Sequence, residues 1–251
     1  MNSMDSKVSI ITPFYNSKNY FDKTFNSVIS QSFKDWEWII VDDCSTDDSY
    51  DYLKAIEKSD IRIKVIIMQK NGGSAAARNK GLAMASGRYI TFLDSDDTID
   101  SGYLESQVKF IKDCGPLITA GYRRNKDGVI TDFMPRDDIS FKKALKGNDM
   151  SCLTTMFDRT LVGEVKFRED FQRDEDYVFW LTILQSGIVC KTNKQILATY
   201  YLHENSKNSQ KKKLFKSRYN VYHKVLGYNP FKSLWLIFNY YLYGKKKYNK
   251  A

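Results

Sequence analysis

Short apolar runs alternate with helical stretches across the first hundred residues, and this rhythm restricts the fold more than any other feature of the chain. The runs are Val8–Thr12, Trp36–Val41, Ile61–Met68 and Tyr89–Leu93, and between them lie Tyr20–Ser32, Asp48–Lys58 and Ser74–Ala85. Phe21, Phe25, Val28 and Ile29 recur at helical spacing in the first of these,. Strand and helix in this order predict βαβ units and a mostly parallel sheet. The strands are nearly continuous in apolar residues, as expected when helices cover both faces. In such sheets ligands bind beyond the carboxyl ends of the strands.

The second half reads differently. A helix at Tyr103–Lys112 precedes a strand at Leu117–Tyr122, and Asn125–Gly128 turns the chain into Val129–Phe133. The Asp-Gly pair in that turn is a hairpin signal. Further strands are expected at Leu153–Phe157, Ile188–Thr192 and Leu197–Leu202, with a helix at Glu175–Gln185. The expectation is an α/β architecture with a parallel half over 1–100, a mixed half over 101–206, and a helical tail over 207–251.

Composition narrows the class. Hydrophobic residues make up 42% of the 251 residues and charged residues 27%, enough for a large core in a soluble domain,. Four scattered cysteines form no CxxC pair, and two histidines cannot build a histidine-rich metal site,. The polar Met1–Lys7 segment carries no secretory pattern, and no run approaches the roughly 20 apolar residues of a membrane span,. A location in the cytosol, peripheral on the inner face of a membrane, is the expectation. The net charge of +9 is unevenly placed: residues 207–251 hold 12 of the 39 basic residues and none of the 30 acidic ones. The body is therefore slightly acidic, with 27 basic residues against those 30. That balance disfavours nucleic acid as a partner.

Four constellations sit at strand ends. Thr12-Pro13-Phe14-Tyr15-Asn16 follows the first strand and reads equally as a plain turn. Asp42 and Asp43 close the second, upstream of Ser45, Thr46 and Asp47, which suit a helix cap,. Asp94-Ser95-Asp96-Asp97 closes the fourth. In extended chain Asp94 and Asp96 share a face, which pairs two hard oxygen donors of the kind Mg²⁺ or Mn²⁺ takes; a solvated acidic turn is the other reading. Asn71–Asn79 combines glycines with a helix start that favours anions, and Arg78 either faces that anion or lies on the surface,. The fourth constellation is Arg173-Asp174-Glu175-Asp176, whose acids suit a first helical turn,.

Read in order, the segments Val8–Asn16, Ile40–Asp47, Asn71–Gly81, Gly87–Asp97 and Glu175–Trp180 resemble glycosyltransferase family 2, the inverting enzymes of the GT-A (Rossmann-like) fold. The resemblance implies that Pro13, Tyr15, Asp42 and Asp43 bind the nucleobase and ribose of a nucleotide-sugar donor. It implies that Arg78, Asp94 and Ser95 also hold the donor, that Asp96 coordinates Mn²⁺ or Mg²⁺ on the diphosphate, and that Asp97 supports the metal site or contacts the donor or acceptor sugar. Asp176 matches the general base, with Glu175 as its rival, and His203 loosely matches a late polar motif over the diphosphate. Cys44 stands where many members have glycine or asparagine. The implied reaction moves a hexosyl group, with UDP as the expected carrier, to a hydroxyl of a polyprenyl-diphosphate-linked saccharide in O-antigen or capsule assembly, giving a β-linkage. Two other readings are a nucleotide-sugar-binding adaptor without catalysis and a nucleotidyltransferase, although the latter's glycine-rich, lysine-bearing loop is missing after the first strand.

The tail interleaves Lys211–Lys213 and Lys245–Lys247 with Tyr219, Tyr222, Phe231, Trp235, Phe238, Tyr240, Tyr241 and Tyr243. Such a segment either lies on anionic lipid or packs on the body with a solvated basic face.

Overall fold

The computed structural model describes residues 7–171, 173–202 and 211–248, with side-chain detail over 214–245 in the last stretch. His203 lies outside the described residues.

Strands β1 (Val8–Phe14), β2 (Trp36–Asp42), β3 (Ile63–Ile67) and β4 (Tyr89–Phe92) form the parallel half, side by side as β3-β2-β1-β4. Helices α1 (Lys18–Ile29), α2 (Ser49–Ser59) and α3 (Gly73–Met84) make the crossovers. The remaining strands are β5 (Thr98–Ile99), β6 (Leu117–Lys126), β7 (Val129–Phe133), β8 (Met156–Asp158) and β9 (Lys191–Leu202). They extend the sheet as β4-β8-β6-β9-β5, with β7 hairpinned onto β6, and only the β6–β9 pair among them is parallel. Helices α4 (Tyr103–Cys114), the short α5 (Phe141–Ala144) and α6 (Arg159–Val162), and α7 (Glu175–Gln185) complete the body.

Alternate residues along the central strands feed two cores. Val8, Ile10, Trp38 and Ile40 pack with Phe21, Leu53 and Val108, from α1, α2 and α4. Ile11, Ile39, Val41 and Phe92 pack with Ala75, Ala77 and α7. Small side chains let α3 approach the sheet closely: a Cβ on Gly81 would collide with Ile11, which is fully buried. At the opposite end of the strands, Glu37 is buried and accepts from Ser9, Ser86 and Lys64. Burial alone would raise its pKa, yet these donors outweigh it and hold the carboxyl far below the ordinary range,.

Several boundaries depart from the sequence expectations. β1 runs on through Pro13 to Phe14 because β4 pairs it only as far as Ile11, so the missing N–H faces no β4 partner,. The expected strand at Leu153–Phe157 begins only at Met156, since Ser151 organises a turn with Leu153, Thr154 and Thr155. Ile188–Thr192 and Leu197–Leu202 are replaced by the single strand β9. The polar stretch that seemed to separate them is held in the sheet by Asn193, which donates to Ser106 and Gln107. Register shifts on either side of Gly121 absorb the irregularity,. The hairpin turn is as expected, with Asp127 and Gly128 both at positive φ,.

The tail folds as α8 (Lys211–Asn220), a π-helical turn at Val221–Val225, and α9 (Pro230–Tyr248). Asn229 accepts from the Lys232 N–H and Pro230 opens α9, a favourable cap,. Val221, Tyr222, Leu236 and Ile237 join the α3–α7 core. Tyr243 donates to Asp149 beneath the Arg136 guanidinium, 3.9 Å from the ring centroid. The inner face of α9 therefore packs on the body. Its outer face leaves Phe231, Leu234, Trp235, Phe238, Tyr241 and Leu242 exposed. No helix among the described residues is long and apolar enough to cross a membrane.

Gly81→Ala tests the close α3–β1 approach. Helix propensity alone favours alanine by about 1 kcal/mol, whereas overpacking a filled core costs about 1–3 kcal/mol. The expected result is a lower denaturation midpoint in urea, with an unchanged m-value; a gain in stability would show that the helix can lift from the strand.

Candidate functional site

The carboxyl ends of β1, β2 and β4, the start of α3 and the start of α7 converge along one edge of the sheet. After β1, Tyr15 is exposed and Asn16 adopts a φ of 48°. Asn16 exchanges hydrogen bonds with Thr46: its Oδ1 accepts from the Thr46 N–H at 2.8 Å and its Nδ2 donates to Thr46 Oγ1 at 3.2 Å. The turn after β2 is thereby tied to the turn after β1. Cys44 in that turn has a φ of 62°, a conformation glycine and asparagine adopt at little cost,. The departure from the family pattern at Cys44 thus falls on a strained backbone position.

Sequence reasoning left the paired acids Asp42 and Asp43 without a structural partner, and the folded chain supplies one for each. Asp42 accepts from the Ser45 hydroxyl and backbone N–H. Asp43 accepts from Gly72 N–H and Gly73 N–H, both at 2.7 Å, so it caps α3 across 29 residues of sequence,. Both are buried. Thr46 does not cap α2; Asp47 accepts from Ser49 instead.

After β4 the chain does not stay extended. Asp97 N–H donates to Asp94 C=O at 3.2 Å, closing a turn. Asp94 and Asp96 are nevertheless the partly exposed pair, while Ser95 and Asp97 are buried. Thr24 of α1 donates to the Ser95 and Asp97 carbonyls, and Ser95 Oγ lies 2.9 Å from Ser17 Oγ. Asp97 Oδ1 accepts from Tyr201 N–H at the end of β9, while Oδ2 is buried without a partner. Burial, and then the charges of Asp96 and Asp94, push the Asp97 carboxyl well above the ordinary range,.

That crowding is the observation against which a metal can be judged. A divalent cation at Asp96 would offset the mutual repulsion with hard oxygen donors of the right type. The described side chains form no ready-made cluster of three ligands. The fit is therefore to an ion held by one or two carboxylates, with diphosphate oxygens completing its shell, as Mg²⁺ usually is at phosphate sites.

Arg78 is not a surface residue. It is 5% exposed, Nη2 donates to Asp94 Oδ1 at 2.6 Å, and Nη1 lies 3.5 Å from Glu175 Oε1. Its Nε and Nη1 have no hydrogen-bond partner, leaving donor capacity beside the acids. Glu175 also accepts from Ser74 Oγ at 2.8 Å. Glu175 is thus committed to α3, which weakens it as the rival base. Asp176, the next residue, is partly buried, and its Oδ1 accepts from its neighbour Tyr177 N–H. Burial first, then the charges of Glu175 and Asp174, push its pKa up to about 7,. A carboxyl with that pKa is suited to proton transfer near neutral pH. Sequence reasoning missed Cys152, buried beside this acid group, and Tyr201, whose contribution is a backbone N–H. No side-chain pattern signals either.

Residues 9–172 match the profile of Glycosyl transferase family 2. Over 93% of its length the chain is 38% identical to the putative teichuronic acid biosynthesis glycosyltransferase TuaG of Bacillus subtilis, covering 94% of that protein. It is 34% identical to WfgD of Escherichia coli, a UDP-Glc:α-D-GlcNAc-diphosphoundecaprenol β-1,3-glucosyltransferase, over 97% of this chain and 96% of that one. Among solved structures, S. aureus TarS 1-349 in complex with UDP-GlcNAc superposes with a TM-score of 0.72 at 21% identity, over 88% of this chain and 66% of that one. The mannosyltransferase PcManGT from Pyrobaculum calidifontis, in complex with GDP-Man and Mn²⁺, gives 0.68 at 15% identity, over 88% and 64%. The structural likenesses establish the GT-A fold.

The raised pKa of Asp176 has a sign that stability measurements can read. The folded state holds the proton more tightly than the unfolded chain, so Asp176 costs stability as pH rises from about 4 through 7. Asp176→Asn is expected to raise the melting temperature by roughly 2–6 °C at pH 8 and by much less at pH 5. Equal shifts at both pH values would show that Asp176 ionises normally.

Proposed function

The chain belongs to glycosyltransferase family 2 and is a glycosyltransferase, and from that premise we propose that it is an inverting hexosyltransferase acting on a lipid-linked acceptor. The donor is a nucleotide sugar, UDP-hexose first, and the acceptor a hydroxyl of a saccharide carried on a polyprenyl diphosphate. The product is a β-glycoside for bacterial surface polysaccharide. The observation that carries this reading is the end-to-end similarity to WfgD, whose name states such a donor and acceptor.

In this reading Pro13, Tyr15, Asp42 and Asp43 frame the nucleobase and ribose, the two acids acting partly by holding the turns that shape the pocket. Asp94 and Ser95 lie against the ribose, and Arg78, buried and paired with Asp94 and Glu175, helps hold the donor by fixing those acids. Asp96 would hold Mn²⁺ or Mg²⁺, with Asp97 behind it. When bound there, a divalent ion supplies Lewis-acid neutralisation of the charge that develops on the departing diphosphate. The acceptor oxygen attacks the anomeric carbon while Asp176 takes its proton, and the bond to the diphosphate oxygen breaks on the opposite face. A single displacement of this kind inverts the anomeric centre. Residues 1–206 carry these groups, and the tail that follows shares a core with α7.

The deciding experiment supplies UDP-glucose and a synthetic GlcNAc-diphospho-lipid with Mn²⁺ or Mg²⁺. Transfer should be lost in EDTA and in Asp96→Ala. Asp176→Asn should lose about 10²–10⁴-fold in turnover while binding the nucleotide sugar normally, and wild-type turnover should fall as pH drops through about 7. Donor binding without transfer to any lipid-linked saccharide would favour the adaptor reading.

A lipid-borne acceptor places the reaction at a membrane surface, and α9 offers the contact. Its exposed Phe231, Trp235 and Phe238 lie with Lys232 and Lys245 in a tail free of acidic residues,. Phosphatidylglycerol vesicles should therefore sediment the protein, and Phe231→Ser with Trp235→Ser should abolish this. Binding should weaken with added salt. Equal retention on neutral and anionic vesicles would refute the electrostatic part.

A further inference from the structure

The turn that carries Asp176 is held by a residue far away in the tail. Asp174 occupies the N-cap position of α7, where an aspartate ordinarily accepts from a helical N–H,. Its side chain makes no such bond. Its backbone instead adopts a left-handed φ of 62°, and its carboxylate pairs with Arg218 of α8 at 2.7 Å. The guanidinium is clamped between two rings, with its carbon 3.7 Å from the Tyr177 centroid and 4.0 Å from that of Tyr240. Ser217 beside it donates to the Arg173 carbonyl, just upstream of Asp174.

This arrangement is costly. Both charged side chains are over nine-tenths buried, and Asp174 Oδ2 and Arg218 Nε and Nη1 lack hydrogen-bond partners. A buried, incompletely satisfied ion pair is a poor source of stability, and a strained backbone beside a reactive group usually serves that group. What the pair does geometrically is fix the residue from which Glu175 and Asp176 project. On the α3 side, Arg78 and Ser74 hold Glu175. The tail side holds Asp174.

We propose that Arg218 is a positioning residue for glycosyl transfer: by locking Asp174 into its left-handed turn it aims Asp176 at the acceptor hydroxyl, which makes the tail part of the catalytic unit. This rests on the reading of Asp176 as the base. The charged and titratable groups facing Asp176 are Asp174 and Glu175 on its own turn, Arg78 of α3, and the Cys152 thiol.

The test compares Arg218→Met, Arg218→Lys, Asp174→Asn and the double variant Arg218→Met/Asp174→Asn with Asp176→Asn, using the full chain. Turnover, donor KM, the pH profile of turnover and the melting temperature are read for each. Arg218→Met is expected to lose about 10–100-fold in turnover with donor KM changed less than about twofold. It leaves Asp174 uncompensated, so the acid limb moves to higher pH, by about half a unit. Asp174→Asn removes a negative charge and moves the limb to lower pH. Arg218→Lys keeps the charge, so the limb returns to its wild-type position with turnover partly recovered. The double variant carries no unpaired buried charge, so it should regain melting temperature yet stay slow, and it remains informative if Arg218→Met fails to fold. Turnover that recovers along with melting temperature in the double variant would overturn the proposal, as would limbs that do not move in opposite directions. If Asp176→Asn is inactive while Arg218→Met turns over at the wild-type rate, the inference fails alone. Wild-type turnover in Asp176→Asn would remove the base and the inference together.

Discussion

A buried guanidinium has to be paired, and the pairing of Arg78 is the constraint around which the site is built. Desolvating an arginine costs several kcal/mol unless carboxylates meet it with good geometry. Here Asp94 at the end of β4 and Glu175 at the start of α7 supply those carboxylates, and Phe167 lies under the cation. Three segments separated by 16 and 81 residues of sequence are drawn to one point by one side chain. The acid-rich turn after β4 and the acid-rich start of α7 would repel one another without it.

The same device recurs on the other side of α7. Arg218 pairs with Asp174 as Arg78 approaches Glu175, so the first two acids of Asp174-Glu175-Asp176 each have an arginine. Neither arginine hydrogen-bonds Asp176. Burial and the negative charges of Glu175 and Asp174 outweigh the opposing charge of Arg78, and its affinity for a proton rises accordingly,. A close ion pair with arginine reaches the first two acids and not the third, which separates two structural acids from one that can exchange a proton near neutral pH,. The sheet makes this possible by presenting strand ends and helix starts along one edge, while the paired cores beneath hold them rigid.

Most of the parallel half was legible in the sequence, because parallel strands buried on both faces leave unbroken apolar runs and their crossovers leave a 3.6-residue period. α7 was readable to the residue from its acidic first turn and apolar continuation. β9 was not, since Asn193 interrupts the apolar pattern and its polar atoms are satisfied by Gln107 and Ser106, 86 and 87 residues away. The acids at the strand ends could be named from their order along the chain. Their partners could not: Asp43 capping α3, Tyr201 reaching Asp97, and Arg218 reaching Asp174 are all long-range contacts with no local signature.

The tail shows the same limit from the other direction. Its composition suggested either a lipid surface or a packed helix, and α9 packs Leu236 and Ile237 inward while Phe231, Trp235 and Phe238 stay exposed. By itself, the sequence determined the βαβ framework, the family, and which carboxylates stand at the strand ends, because periodicity and motif order are properties of the chain read locally. Only the tertiary structure decided which acids are neutralised by a buried arginine and which one is left to titrate. That choice depends on burial and on charges brought within a few ångströms from distant positions, and neither quantity exists until the chain has folded.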